Sequence, residues 1–200
     1  MRKILIGIVG LIIVVAIGAY ILLFTQFGNN LLKPTIQKKI SKALGKSIVV
    51  EKFKLRPSTL KLVCTIKNKK FLDIHGKLNL FSKSMDLNYS VDIPNIGDFT
   101  GKKSIKGSFY TTGRVYGEFS DFFVNGDAKA FGGLISYKVR MVKDKPSSLL
   151  LSGNDLRLEQ ALAMFNLPIY ADGSISVKAK FNKLMSEEGN GSAVLKISKG

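Results

Sequence analysis

The chain carries one cysteine, one histidine, no tryptophan and five prolines in 200 residues, and its 31 basic residues face only 14 acidic ones. A single thiol, Cys64, permits no intrachain disulfide, so the fold must be held by a core, and the redox compartment cannot be read from cysteine usage. One histidine and one cysteine cannot supply the nitrogen and sulfur ligands that zinc requires. His75 lies on the polar side of an alternating stretch and reads as a surface residue. The acids are scattered singly, and Gly132-Gly133 lacks the lysine and following helix of a phosphate loop. No catalytic residue, metal site or cofactor is assigned, and the chain reads as a protein that is not an enzyme.

The scarcity of acid leaves a net charge of +17. Such a density attracts phosphate, in nucleic acid or in anionic lipid head groups. Of the basic residues 26 are lysine and 5 arginine, which leaves few of the guanidinium forks that base and phosphate recognition favour. With no zinc spacing and no helix-turn-helix pattern, nucleic acid is not an expected partner.

What the chain does have is an unbroken apolar run from Ile4 to Phe24 behind Met1-Arg2-Lys3. Its 21 residues would span about 31 Å as a helix, close to the hydrocarbon thickness of a bilayer. The run exceeds the roughly 7 to 15 apolar residues of a cleavable signal, and a cut after Ala19 would leave Tyr20 to Phe24 as an apolar end. Residues 1–28 are therefore expected to be an uncleaved membrane anchor, with one domain over 29–200. Arg2 and Lys3 before the run and Lys33, Lys38, Lys39 and Lys42 after it leave the orientation open on charge alone.

Asn29 and Asn30 predict a helix cap, with the helix starting at Leu31, Pro34 in its first turn and Gly45 at its end. Leu32, Ile36, Ile40 and Leu44 recur at helical spacing, and lysines fill the other face. The apolar side predicts a plug on the end of a sheet. Lys33, Lys38, Lys39 and Lys42 can at the same time lie over anionic head groups, each contributing on the order of 1 kcal/mol.

From Ile48 the period changes to two. Leu60, Leu62, Cys64 and Ile66 alternate with Lys61, Val63, Thr65 and Lys67, then Leu72, Ile74, Gly76, Leu78 and Leu80 and then Met85, Leu87, Tyr89, Val91 and Ile93 alternate with polar residues, with turns at Asn68-Lys69 and Ser82 to Ser84. Ile135 to Met141 and Ile175 to Phe181 repeat the pattern, and glycines among Phe109 to Gly117 point to bending. A short helix is expected from about Asp155 to Phe165. Cys64 reads as a small buried hydrophobe. The fold class is mainly β: transmembrane helix, short amphipathic helix, then a strongly curved antiparallel sheet, gutter or jellyroll-like, with one short helix. Alternation says only that one face is dry, so an open gutter and a closed sandwich both stand.

The anchor, the segment Leu32-Lys33-Pro34 to Leu44-Gly45-Lys46-Ser47-Ile48-Val49-Val50, the stretch Arg56 to Leu62, and Asp155-Leu156 to Phe165 with Leu167-Pro168 and Asp172-Gly173-Ser174-Ile175 resemble the AsmA-like proteins of Gram-negative envelopes. That group includes TamB and shares an architecture with chorein-type bridge-like lipid transfer proteins. The resemblance implies a single-pass inner-membrane protein with residues 29–200 in the periplasm and an apolar gutter for acyl chains. It implies a part in phospholipid transport or outer-membrane homeostasis, with phospholipid or lipopolysaccharide as partner and an envelope protein or self-assembly completing the bridge. The lining residues expected are Leu62, Ile66, Leu78, Leu87, Tyr89, Val91, Tyr137, Val139, Val177 and Phe181. The competing reading is a non-catalytic adaptor domain, LptC-like in outline, that scaffolds an envelope complex.

Overall fold

A computed structural model describes residues 23–97, 107–164, 167–169, 172–184 and 189–198. Nearly all of the expected anchor, Ile4 to Phe24, lies outside these residues; among those described, no helix is long and apolar enough to cross a membrane. The described chain begins with helix α1 (Gln26–Leu44) and continues as ten strands, β1 (Val49–Arg56), β2 (Thr59–Ile66), β3 (Lys69–Asn79), β4 (Ser84–Ile93), β5 (Phe109–Glu118), β6 (Asp121–Ala130), β7 (Gly133–Val142), β8 (Lys145–Arg157), β9 (Ser174–Asn182) and β10 (Asn190–Ser198). A short helix α2 (Leu158–Met164) separates β8 from β9.

The strands form one antiparallel sheet in sequential order, β1 at one edge and β10 at the other, and the sheet does not close. Hairpins explain most of this order; the longer connections are residues 94–108 between β4 and β5 and the segment with α2 between β8 and β9, and these too return the chain to the neighbouring position. Lys67-Asn68 and Lys143-Asp144 both have positive φ at their two positions, the geometry of a two-residue hairpin loop whose twist matches its strands. The first of these turns lies one residue before the expected Asn68-Lys69. A sequential single sheet is neither a sandwich nor a jelly roll, whose strands divide between two sheets.

Helix α1 starts five residues earlier than the Leu31 expected from the sequence. Thr25 is the cap, its hydroxyl accepting the Gly28 N–H at 3.3 Å, and Asn29 is an interior helical residue. Pro34 consequently stands well inside the helix, where its missing N–H forgoes one helical bond. The C-terminal end follows expectation. Gly45 adopts φ 62°, its N–H reaching Lys42 O, while Lys46 N–H reaches Ser41 O at 3.1 Å. This is the paired closure that a left-handed glycine makes possible.

The helix plugs the β1 end of the sheet, as its apolar spacing predicts. Ile36 and Ile40 pack on a buried cluster of Ile48, Val50, Leu62, Cys64 and Phe71. Leu44, however, remains 39% exposed and Leu31 54%, because the helix docks through polar groups as much as through its apolar stripe. Asn29, Lys33, Gln37 and Ser41, each four residues on and so on one face, run along the outer edge of β1. Asn29 Oδ1 accepts the Leu55 N–H at 2.7 Å and its Nδ2 donates to Leu55 O at 3.0 Å. Lys33 Nζ donates to Glu51 O, Gln37 Oε1 accepts from Val50 N–H at 2.9 Å, and Ser41 Oγ accepts from Ile48 N–H at 3.2 Å. Backbone groups that would otherwise lie open on a sheet edge are satisfied by side chains.

Candidate functional site

The register fixes which residues share a face. Across β3 to β10 one row reads Ile74, Tyr89, Gly113, Gly126, Tyr137, Leu151, Ala179, Ala193. The rows on either side are Leu72, Val91, Thr111, Ala128, Ile135, Gly153, Val177, Leu195 and Gly76, Leu87, Val115, Val124, Val139, Leu149, Phe181, Gly191. Only Tyr89, Thr111 and Tyr137 in these rows are polar. Period-two alternation, held in register by the antiparallel ladders, thus makes one continuous apolar face.

The three hydroxyls on that face bond one another. Tyr89 and Tyr137 meet oxygen to oxygen at 2.5 Å, and Tyr137 meets Thr111 at 2.8 Å. The chain ends on backbone carbonyls, with Tyr89 donating to Asn125 O at 3.2 Å and Thr111 to Asp127 O at 2.9 Å. Burial, and then the Tyr137 hydrogen bond, hold the Tyr89 phenol above its ordinary value. The rings need the glycines between them. A Cβ at Gly113 would stand 2.5 Å from the Tyr89 hydroxyl and one at Gly126 2.6 Å from it. The tyrosines are thereby laid over β5 and β6 as a polar bridge across an apolar surface.

All ten residues expected to line a groove fall on this face. They are not equally available. Leu62 and Ile66 belong to the cluster under α1, and Leu87 is buried at 7% exposure. Leu78, Tyr89, Val91, Tyr137, Val139, Val177 and Phe181 are half-buried. Val115, Val124, Ile135 and Leu149 share the face as well; Val115 and Ile135 stand in the alternation read from the sequence without being among the expected lining residues, and Val124 and Leu149 sit in runs that are apolar on both sides. Beyond neighbouring strands, the principal contacts between described elements are those of α1 with β1 and of α2 with β8, so no described layer lies over β4 to β7.

The opposite face is polar and largely satisfied by its own groups. Arg114 forms a two-pronged pair with Asp86, and Arg140 with Asp121, each holding its carboxyl below the usual carboxylate range chiefly through the hydrogen bonds. Tyr116 and Phe123 stack at 5.5 Å, with Arg114 over the first ring and Lys138 and Arg140 over the second. An open concavity of about 990 Å³ on this side touches Asp73, His75, Lys138, Lys178 and Lys180. Of the ten expected lining residues it reaches only Tyr89 and Tyr137. Its lining mixes exposed and half-buried residues, and Asn125 Oδ1, which borders it, is buried without a hydrogen-bond partner.

No protein-family model, curated protein or solved structure matches this chain. The site must therefore be read from its own chemistry. His75 Nδ1 lies 3.3 Å from Asp73 Oδ1 at the surface, and the described residues contain no group of three or more His, Cys, Asp or Glu able to hold a metal ion. Cys64 is fully buried, and burial pushes its thiol up to about 11, which keeps it protonated and unreactive. Of the lysines expected at a membrane surface, Lys33 is half-buried with its ammonium on Glu51 O, while Lys38, Lys39 and Lys42 are exposed on the side of α1 away from the sheet. Lys42 also stands in the last turn, where a cation favours the helix dipole.

Proposed function

We propose that this chain is a membrane-anchored envelope protein that binds lipid acyl chains on the apolar face of its sheet and assists phospholipid transport between membranes or outer-membrane homeostasis. The observation that carries the reading is an apolar face, continuous from β3 to β10, with no described layer over β4 to β7. A surface of this extent is normally covered in a monomer, and one left open marks a binding surface. Each methylene moved from water onto it contributes about 0.8 kcal/mol, so a passage for acyl chains needs no catalytic residue. The eight strands β3 to β10, about 4.8 Å apart, give a face about 34 Å across, wide enough for a whole acyl chain. Acyl chains lie along this face and head groups stay in water.

On this reading the apolar run from Ile4 to Phe24 anchors the sheet beside the inner membrane, with the domain in the periplasm and Lys38, Lys39 and Lys42 turned to anionic head groups. Phospholipid or lipopolysaccharide is the ligand class. The test is native mass spectrometry with lipid extraction on the full chain, set beside a Val139→Asp, Val177→Asp variant. Both positions are half-buried on the open face, so the change is aimed at the ligand rather than at the core under α1. Near-stoichiometric lipid lost in a variant that keeps its β-sheet circular dichroism supports the reading. A lipid-free parent overturns it in favour of the adaptor, for which the open sheet edge at β10 is the observation.

A further inference from the structure

The two edges of the sheet are treated differently. At β1 the outward backbone groups of Ile48, Val50, Glu51 and Leu55 are taken up by side chains of α1. At β10 every residue from Asn190 to Ser198 is exposed, and among the described residues nothing pairs with its outer edge. Edge strands are normally blunted by charge, proline, a bulge or shortness. β10 is nine residues long, pairs with β9 in unbroken register, and carries one charge, Lys196. It also presents apolar side chains on both faces: Leu195 and Ile197, 60% and 59% exposed, continue the apolar face, and Val194, 53% exposed, lies on the polar one.

We propose that β10 pairs with β10 of a second copy of this chain, antiparallel about a two-fold axis through the edge. The sealing of β1 selects this arrangement. A head-to-tail contact would need a free β1 edge to receive β10, and α1 occupies it, so among the sheet's own edges only β10 can meet β10. The sequence of β10 suits self-pairing. About Val194, Lys196 lies opposite the partner's Ser192 and Leu195 opposite the partner's Ala193, so no lysine faces its copy. An axis normal to the sheet keeps the apolar faces of the two copies on the same side, doubling that face. The net charge of +17 on each copy opposes association, and salt relieves the repulsion.

The experiment uses the full chain in a non-ionic detergent with Cys64→Ala as background. A cysteine at Val194, or as control at Lys52 beside the sealed edge, is treated with a short bismaleimide cross-linker, and sedimentation velocity is followed as salt is raised. Cross-linked dimer from position 194 and not from 52, strengthening with salt, is the expected result. Val194→Lys with Ile197→Lys, which keeps the membrane segment and removes only side chains that are already exposed, should weaken association at least about tenfold with β-sheet circular dichroism unchanged. A monomer throughout, a dimer that survives the two lysines, or equal cross-linking from position 52 would overturn the proposal. Lipid binding by a chain that stays monomeric would leave the reading of the apolar face intact.

Discussion

Replacing Asn29 with alanine removes the two hydrogen bonds that hold α1 to the outer edge of β1, at 2.7 and 3.0 Å. The groups left behind are the N–H and carbonyl of Leu55, a residue only 8% exposed beneath an asparagine that is 6% exposed. Each orphaned buried group costs about 1–3 kcal/mol, so the pair costs about 2–6 kcal/mol, and partial access of water favours the lower half of that range. The other members of the stripe calibrate the argument. Gln37→Ala frees one N–H, that of the fully buried Val50, and should cost about 1–3 kcal/mol. Lys33→Ala breaks an exposed contact and should cost less than about 0.5 kcal/mol. Urea unfolding of the full chain in detergent, followed by circular dichroism, reads these differences. Hydrogen exchange at Leu55 and Val50 reports whether the edge itself has opened. An Asn29→Ala variant as stable as the parent, or a Lys33→Ala variant equally damaged, would refute the edge-sealing role of the stripe.

Tyr137→Phe should cost no more than about 1.5 kcal/mol in the same assay, since Tyr89 and Thr111 each keep a backbone carbonyl to donate to; a loss above about 3 kcal/mol would mean that the hydroxyl bridge is itself a structural support. Cys64 gives a pH dependence. Its folded value of about 11 exceeds the ordinary thiol value of 9.0, so the unfolded chain loses its proton first, and stability should fall as pH rises from about 9 to about 11 by about 1.4 kcal/mol per unit. Cys64→Ala should lack this component, and parallel pH profiles for the two proteins would contradict it. At pH 8 the native thiol should resist maleimide and react only on unfolding.

The strands whose inward and outward positions differ in character are legible in the sequence. β3, β4, β7 and β9 alternate cleanly because one side is wet, whereas β2 carries four consecutive buried residues, Leu62 to Thr65. β6, β8 and β10 do not alternate, since Phe122-Phe123-Val124, Leu149-Leu150-Leu151 and Ala193-Val194-Leu195 put apolar groups on both faces. Phe123 is out of pattern because cations of β7 cover it on the polar side, and Val194 because it lies on an edge. The helix start was misplaced for a related reason. Asparagine is a good cap, but the partner of Asn29 is Leu55, 26 residues downstream, and no local pattern announces that distance. The Tyr89–Tyr137 contact likewise depends on the register of three successive hairpins. That both tyrosines lie in the apolar rows is legible all the same, because period two alone decides the side.

The binding face can be tested by two neighbouring positions on one strand. A photoreactive residue placed at Val139 points from the apolar face, and one placed at Lys138 points from the polar face. With the full chain in its membrane, the account predicts acyl-lipid adducts from position 139 and few from position 138. Equal labelling of the two, or labelling from 138 alone, would contradict lipid binding on the apolar face.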